Sequence, residues 1–263
     1  RPGVVKQTIK LYHEDNFARL PELTMVWPTV EEYHPDAYAL SILGEYLSRG
    51  KNAPFYKVLV EDKKLSAGAG TYHRESELAG QFQLTVRAFQ EKDLDDVMTA
   101  VNEAFGKFEK EGIAQKDLDR IKAGFETQFY NSLSSVQGKG FQLATYNIFA
   151  GDPGYLGKDF KNLMGVTTAD VMRVYNKYIR NKNYVATSFV PKGKLKLALE
   201  GSAKADVVEE KIVQGAEDAI DPTATTVYER TPSSFDRSKD PPAGATPSAH
   251  RRAARGLAAR PGQ

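Results

Sequence analysis

The residues suited to metal or acid–base chemistry are few and scattered. The four histidines are His13, His34, His73 and His250, and no two stand at the short helical spacing that aims a pair of imidazoles at one zinc ion. Cysteine is absent, which removes disulfides, thiolate metal sites and cysteine nucleophiles together. Asp93, Asp95 and Asp96 crowd the start of a predicted helix, where the helix dipole favours carboxylates without any metal. Glu61-Asp62-Lys63-Lys64 reads as a solvated helix end. Ser66, Ser134 and Ser135 have no His-plus-acid set near them in sequence. Gly68 and Gly70 lack the strand-to-helix context of a dinucleotide loop. His34, beside Pro35, reads as a residue that sets the start of a helix. On these grounds no catalytic residue and no metal ligand is assigned.

The elements that would position any site are centred on Glu32–Phe89. From Asp36 to Arg49 the apolar residues Tyr38, Leu40, Ile42, Leu43, Tyr46 and Leu47 recur at spacings that share one wide helical stripe. Pro35 and Asp36 suit the start of that helix and Gly50 its end. Pro54 opens a second, shorter helix in which Phe55, Val58 and Leu59 share a face. The small-residue run Leu65–Tyr72 fits a strand lying close under another backbone. Gln81–Phe89 alternates as a half-buried strand should, with Phe82, Leu84, Val86 and Ala88 inward.

On either side the same grammar continues. Val4–Tyr12 and Leu23–Val30 read as strands, joined by a polar loop over His13–Pro21. Asp93–Gly112 carries the strongest helical periodicity. A further helix from Lys116 places Leu118, Ile121, Phe125, Phe129, Leu133 and Val136 on one face, with an interruption expected at Gly138 and Gly140. Thr167, Thr168 and Asp170 open a last helix, and Tyr184–Val190 returns as a strand. Helix pairs feeding strand pairs predict an α+β fold, a mixed or antiparallel sheet with helices packed mainly on one face. The domain is expected over residues 1–200. Residues 201–263 are expected to be a linker and disordered tail, with weak helical character over Ala203–Ile212 and Pro, Ser, Thr and Ala beyond.

Composition excludes several classes. The chain has 263 residues, 41% hydrophobic and 27% charged, with no apolar run long enough for a membrane helix. The net charge of +2 rests on Arg251, Arg252, Arg255 and Arg260; without them the balance turns negative, so no basic face points to nucleic acid. The N-terminus lacks a signal-peptide pattern. The expected compartment is the cytoplasm, or the periplasm or exterior if the chain is cut from a precursor that carries a signal.

Three segments in order, HPDAYALSILGEYLSRG, APFYKVLVEDKKLSAGAG and GVTTADVMRVYNKYI, resemble the repeated domain of the pitrilysin/insulinase (inverted-zincin) metallopeptidases. The likeness runs from about Lys6 to Lys192. That family binds zinc through H-x-x-E-H on a helix, with the Glu as base on the metal-bound water. Laid on this motif, Ser41 and Glu45 stand where the two His would be and Gly44 where the base would be. The family's second half often supplies an Arg and a Tyr to the substrate. The matching positions here are Val60 and Ala67, which have no side-chain donor for an oxyanion. Lys57 and Tyr72 are the only displaced substitutes nearby, and no substrate-binding residue is assigned.

The resemblance therefore implies a non-catalytic domain of a zinc metallopeptidase, forming part of a peptide-binding chamber. The whole protein would be a zinc metalloendopeptidase, while this chain alone is expected to bind no cofactor and to be inactive. Zinc would sit in a catalytic H-x-x-E-H partner domain, and an unfolded peptide would be the substrate. The alternative is a non-enzymatic assembly or binding subunit similar to respiratory-complex core proteins.

Overall fold

A computed structural model describes residues 5–207. Its centre is a six-stranded mixed sheet in the order β3-β4-β2-β5-β1-β6. The strands are β1 (Ile9–Asp15), β2 (Glu22–Thr29), β3 (Ser66–Glu75), β4 (Gly80–Ala88), β5 (Val185–Pro191) and β6 (Ala203–Lys204). β2, β3, β4 and β5 pair antiparallel, while β1 lies parallel to both β5 and β6. This is the α+β architecture that the periodicities predict. Inward residues of β2 and β4, among them Leu23, Met25, Trp27, Phe82, Leu84 and Val86, are buried, and their outward neighbours are not. The strand alternation thus assigns one face to a helical layer and leaves the other open.

The helices are α1 (Pro35–Ser48), α2 (Leu94–Glu111), α3 (Gln115–Ser132), α4 (Val136–Thr145), α5 (Leu156–Gly165) and α6 (Thr168–Tyr178). α1, α2 and α6 pack against β2, β3 and β4. His34 caps α1, its Nδ1 accepting from the Asp36 N–H at 3.0 Å. α2 is capped by Asp93 and ended by Gly112, and α6 carries a full capping box between Thr167 and Asp170. Each was expected from the residue types alone.

Four expectations differ in detail. β1 begins at Ile9 and runs through Asp15, so His13 is in a strand rather than a loop. The segment opened by Pro54 winds as a π-helix over Tyr56–Asp62, which the sequence periodicity does not announce. The break after α3 falls at Leu133–Ser135, not at the glycines. Gly138 is the residue that permits it: a Cβ there would strike the Ser132 carbonyl oxygen. Ala203 and Lys204 do not open a helix but pair with Leu11 and Tyr12. The tail expected beyond them lies, from 208 onward, outside the described residues, as does His250.

α6 is held to α1 by one carboxylate. Asp36, almost wholly buried, accepts from Arg173 at 2.6 Å, Lys177 at 2.8 Å and Tyr178 at 2.6 Å. Burial pushes its pKa up, but hydrogen bonds from Lys177, Tyr178 and Arg173 outweigh this and hold it well below the ordinary 3.8. A group depressed on folding contributes stability that is complete above its unfolded value and is lost as pH falls toward the folded one. Asp36→Asn should therefore cost about 1–3 kcal/mol at neutral pH, the two cations being half exposed and partly screened. Melting curves should show the deficit narrowing below about pH 4, because there the unfolded wild-type chain takes up a proton on Asp36 that the folded chain still excludes, while the amide variant has no such proton to bind in either state. A constant deficit down to low pH would refute the assignment.

Candidate functional site

The candidate site is the side of α1 on which the ligand residues of the resemblance would stand. Ser41 and Glu45, four residues apart, share that side and are half exposed, while Leu43 faces the core with no exposure. Ser41 Oγ donates to Glu75 Oε1 at 3.2 Å. Glu45 is gripped by the Arg49 guanidinium through both carboxylate oxygens, at 2.8 and 3.0 Å. A shallow pocket of about 200 Å³ opens beside Glu45 and Arg49, with Arg120, Gly124 and Gln128 of α3 on its far wall.

Gly44 shows why the helix runs where it does. A Cβ on Gly44 would lie 3.1 Å from Tyr72 Cα and 3.3 Å from the Thr71 carbonyl oxygen. Two hydrogen bonds hold this contact: Thr71 Oγ1 donates to the Gly44 carbonyl at 2.6 Å, and the Thr71 N–H donates to Ser48 Oγ at 3.0 Å. The close approach of backbones predicted from the small residues of β3 is present, but the residue that makes room for it is on the helix. Gly68 and Gly70 have open space where a Cβ would be.

The position of the base thus has no side chain, and backbone crowds the place where one would start. One of the two histidine positions holds a hydroxyl and the other a carboxylate neutralised by arginine. This donor set does not fit a zinc ion. Among the described residues no group of three histidines or carboxylates is placed to hold a metal ion.

A second polar cluster lies beside it, and sequence reasoning did not bring it together. His73, its side chain fully buried, shares one ring nitrogen with Glu75 Oε1 at 2.8 Å and the other with Thr29 Oγ1 at 2.8 Å. Ser41, Glu75, His73 and Thr29 form one chain of contacts linking α1, β3 and the end of β2. The residues are distant in sequence, and only β-pairing aligns them: His73 stands opposite Phe82 and Thr29 opposite Gly80. Both imidazole nitrogens are occupied, so the cluster ties the helix to the sheet.

A third cluster joins α1 to α5. Asp159 accepts from Tyr38 and Tyr146, both at 2.7 Å, and burial followed by these bonds raises the two phenols above their usual range. Tyr33, at φ 61, meets the rings of Tyr146 and Tyr155 at a tilt, its centroid 5.5 and 5.2 Å from theirs.

The remaining candidates fall apart in space. Val60 lies in the π-helical segment and Ala67 is exposed near the start of β3. Lys57 is exposed on the same π-helical segment, and Tyr72, 44% exposed, stands opposite Gln83 on the open face of the sheet. Lys63 pairs with Glu103 and Asp62 with Lys107, so the charge cluster docks on α2. Ser134 and Ser135 serve the break before α4, Ser135 as its cap. Asp93 caps α2, and Asp95 accepts from the Glu200 N–H.

Residues 2–125 match the family model described as the Peptidase M16 inactive domain. The mitochondrial presequence protease of Xenopus tropicalis is 26% identical over 116 residues, covering 42% of this chain and 11% of that protein. Two solved structures are similar in fold. A protease from Helicobacter pylori superposes with a TM-score of 0.62 at 20% identity, over 69% of this chain and 44% of that one. A peptidase M16 inactive domain from Pseudomonas fluorescens gives a TM-score of 0.59 at 18% identity, over 73% and 45%. The chain thus spans a small part of the first protein and under half of each solved structure.

Proposed function

We propose, from the match of residues 2–125 to the Peptidase M16 inactive domain, that this chain is the non-catalytic part of a two-part zinc metallopeptidase, walling a chamber for extended peptides. The observation that carries this reading is the α1–β3 contact. A helix in the ligand-helix position presents Ser41 and Glu45, and packs Gly44 so tightly that a base has no place. The fold is that of a peptidase domain, and the hydrolytic centre belongs to a partner with H-x-x-E-H.

Two further features support it. β3 is an edge strand, bonded only to β4 among the described strands. An extended peptide adding to that edge would gain main-chain hydrogen bonds with little sequence preference. In addition, the end of α3, α4 and the π-helical turn Tyr146–Ala150 after it expose Tyr130, Val136, Phe141, Leu143 and Ile148, with Val136 88% exposed. None of α4 is buried. Large apolar groups left exposed along one stretch of chain suit a docking surface, and the partner domain is its occupant in this reading.

The test uses the full chain alone and with the H-x-x-E-H domain encoded with it. Alone, it should hold no stoichiometric zinc after dialysis and leave an unstructured peptide pool intact. The mixed pair should cleave the pool in a chelator-sensitive way. Chelator-sensitive cleavage by the isolated chain would overturn the proposal. Tight association with a partner that lacks the zinc motif would instead make it an assembly subunit.

A further inference from the structure

A large cleft lies away from the α1 site. It has a volume of about 980 Å³ and sits at the end of the sheet where β2 finishes, β3 turns into β4, and α6 leads to β5. Its walls combine Val26, Pro28 and Val185 of the open sheet face with Arg74, Lys177 and Lys182. Amide groups of Gln81 and Asn183 join them, and none of the lining residues is acidic. Lys177 is shared with Asp36, but Asp36 is also bonded to Arg173, so one carboxylate faces two cations. Arg74 and Lys182 have no ion-pair partner among the described residues and are exposed.

Three cations around one concave, partly apolar space, with no carboxylate among them, are complementary to an anion on an extended, partly apolar ligand. Their position fits the peptide reading. Arg74 is two residues beyond Tyr72 on the same face of β3, at the end of the free edge where an added strand would run. We propose that this cleft is a subsite for a peptide carboxylate, either the chain terminus or an Asp or Glu side chain, with Arg74 and Lys182 as its principal contacts. Arginine offers the fork that matches a carboxylate, and the lysines act as point charges. The inference rests on the peptide-chamber reading for its ligand, though not for its chemistry.

The experiment measures binding of the full chain to three labelled versions of one unstructured peptide by fluorescence anisotropy. One has a free C-terminal carboxylate, one is a neutral C-terminal amide, and one is the amide with an internal glutamate. Either carboxylate-bearing peptide should bind about tenfold tighter than the neutral amide at low salt, the worth of one charge-assisted bond pair. The free terminus or the glutamate alone gaining affinity identifies the source. Arg74→Gln with Lys182→Gln should abolish the gain without changing affinity for the neutral amide, and Arg74→Lys should retain part of it. Equal binding of all three peptides, or a gain that survives the double substitution, overturns the subsite while leaving the chamber reading intact. If no peptide binds, N-acetylglutamate is titrated against the chain by NMR. Shifts confined to residues 74–81 and 182–183 would uphold the carboxylate site and sink the chamber reading, and their absence would sink both.

Discussion

Gly44→Glu should unfold or severely destabilise the domain, whereas Ser41→His with Glu45→His should leave it folded. Together the three changes would write H-x-x-E-H onto α1, so the contrast asks which part of the motif the fold can take back. Position 44 faces backbone: Tyr72 Cα and the Thr71 carbonyl lie within 3.3 Å of the first added carbon. Backbone cannot rotate away as a side chain can. A glutamate there would push α1 off β3, break the two hydrogen bonds through Thr71, and bury a carboxylate without a partner. Overpacking of this kind costs about 1–3 kcal/mol, and the unpaired polar group a few more. The sum is comparable with the whole stability of a typical domain. At 41 and 45 the losses are one hydrogen bond to Glu75 and one half-exposed ion pair, each about 1 kcal/mol or less. Urea melts of the two variants decide the matter. A Gly44→Glu protein as stable as the wild type would show that the helix–strand contact is loose.

Leu43→Ala should cost about 2–5 kcal/mol, the range for a buried leucine whose cavity cannot collapse. Leu43 has no exposure and sits between Ala39 and Leu47 on the buried stripe of α1, with Leu40 and Ile42 beside it in the same core. Because the helix is pinned to β3 at Gly44, the backbone is not free to sink into the space left behind. Ser41→Ala, two residues away on the other side, should cost under about 1.5 kcal/mol. A harmless Leu43→Ala beside a damaging Ser41→Ala would invert the burial assignment and the motif register with it.

These two residues show what was legible in the sequence. Leu43 was, because a 3.6-residue period of apolar side chains identifies a buried face directly. Gly44 was not. The small-residue run Leu65–Tyr72 marks the strand side of the close approach, where Thr71 and Tyr72 lie, but a single glycine within a helical period does not mark the helix side. His73 went unplaced for a related reason: its partners Thr29 and Glu75 converge only through the β2–β4 and β3–β4 registers, which no local pattern encodes. The face of α3 failed differently. Phe125, Phe129, Leu133 and Val136 are periodic in sequence, but α3 ends at Ser132 with Phe125 and Phe129 only half-buried, and Val136, beyond the break on α4, stands almost free. Periodicity says that a face is apolar, not which molecule covers it. The π-helical winding of Tyr56–Asp62 gave no signal, as its side chains serve an α-helix equally well.

The strand order has a consequence in time as well as in space. β1 and β2 are consecutive in sequence, yet β5 lies between them and β6 closes the far side of β1. A nascent chain leaving the ribosome can form β2, β3 and β4 with α1 and α2, but β1 finds no neighbour until Val185–Pro191 has been made. Its contacts span more than 170 residues, so loop closure must be met late and at once, the condition that slows folding. While the residues between β1 and β5 are being made, β1 is therefore a strand awaiting a partner, the period in which such a chain is most exposed to mispairing. A chain halted before β5 has β1 made and nowhere to put it.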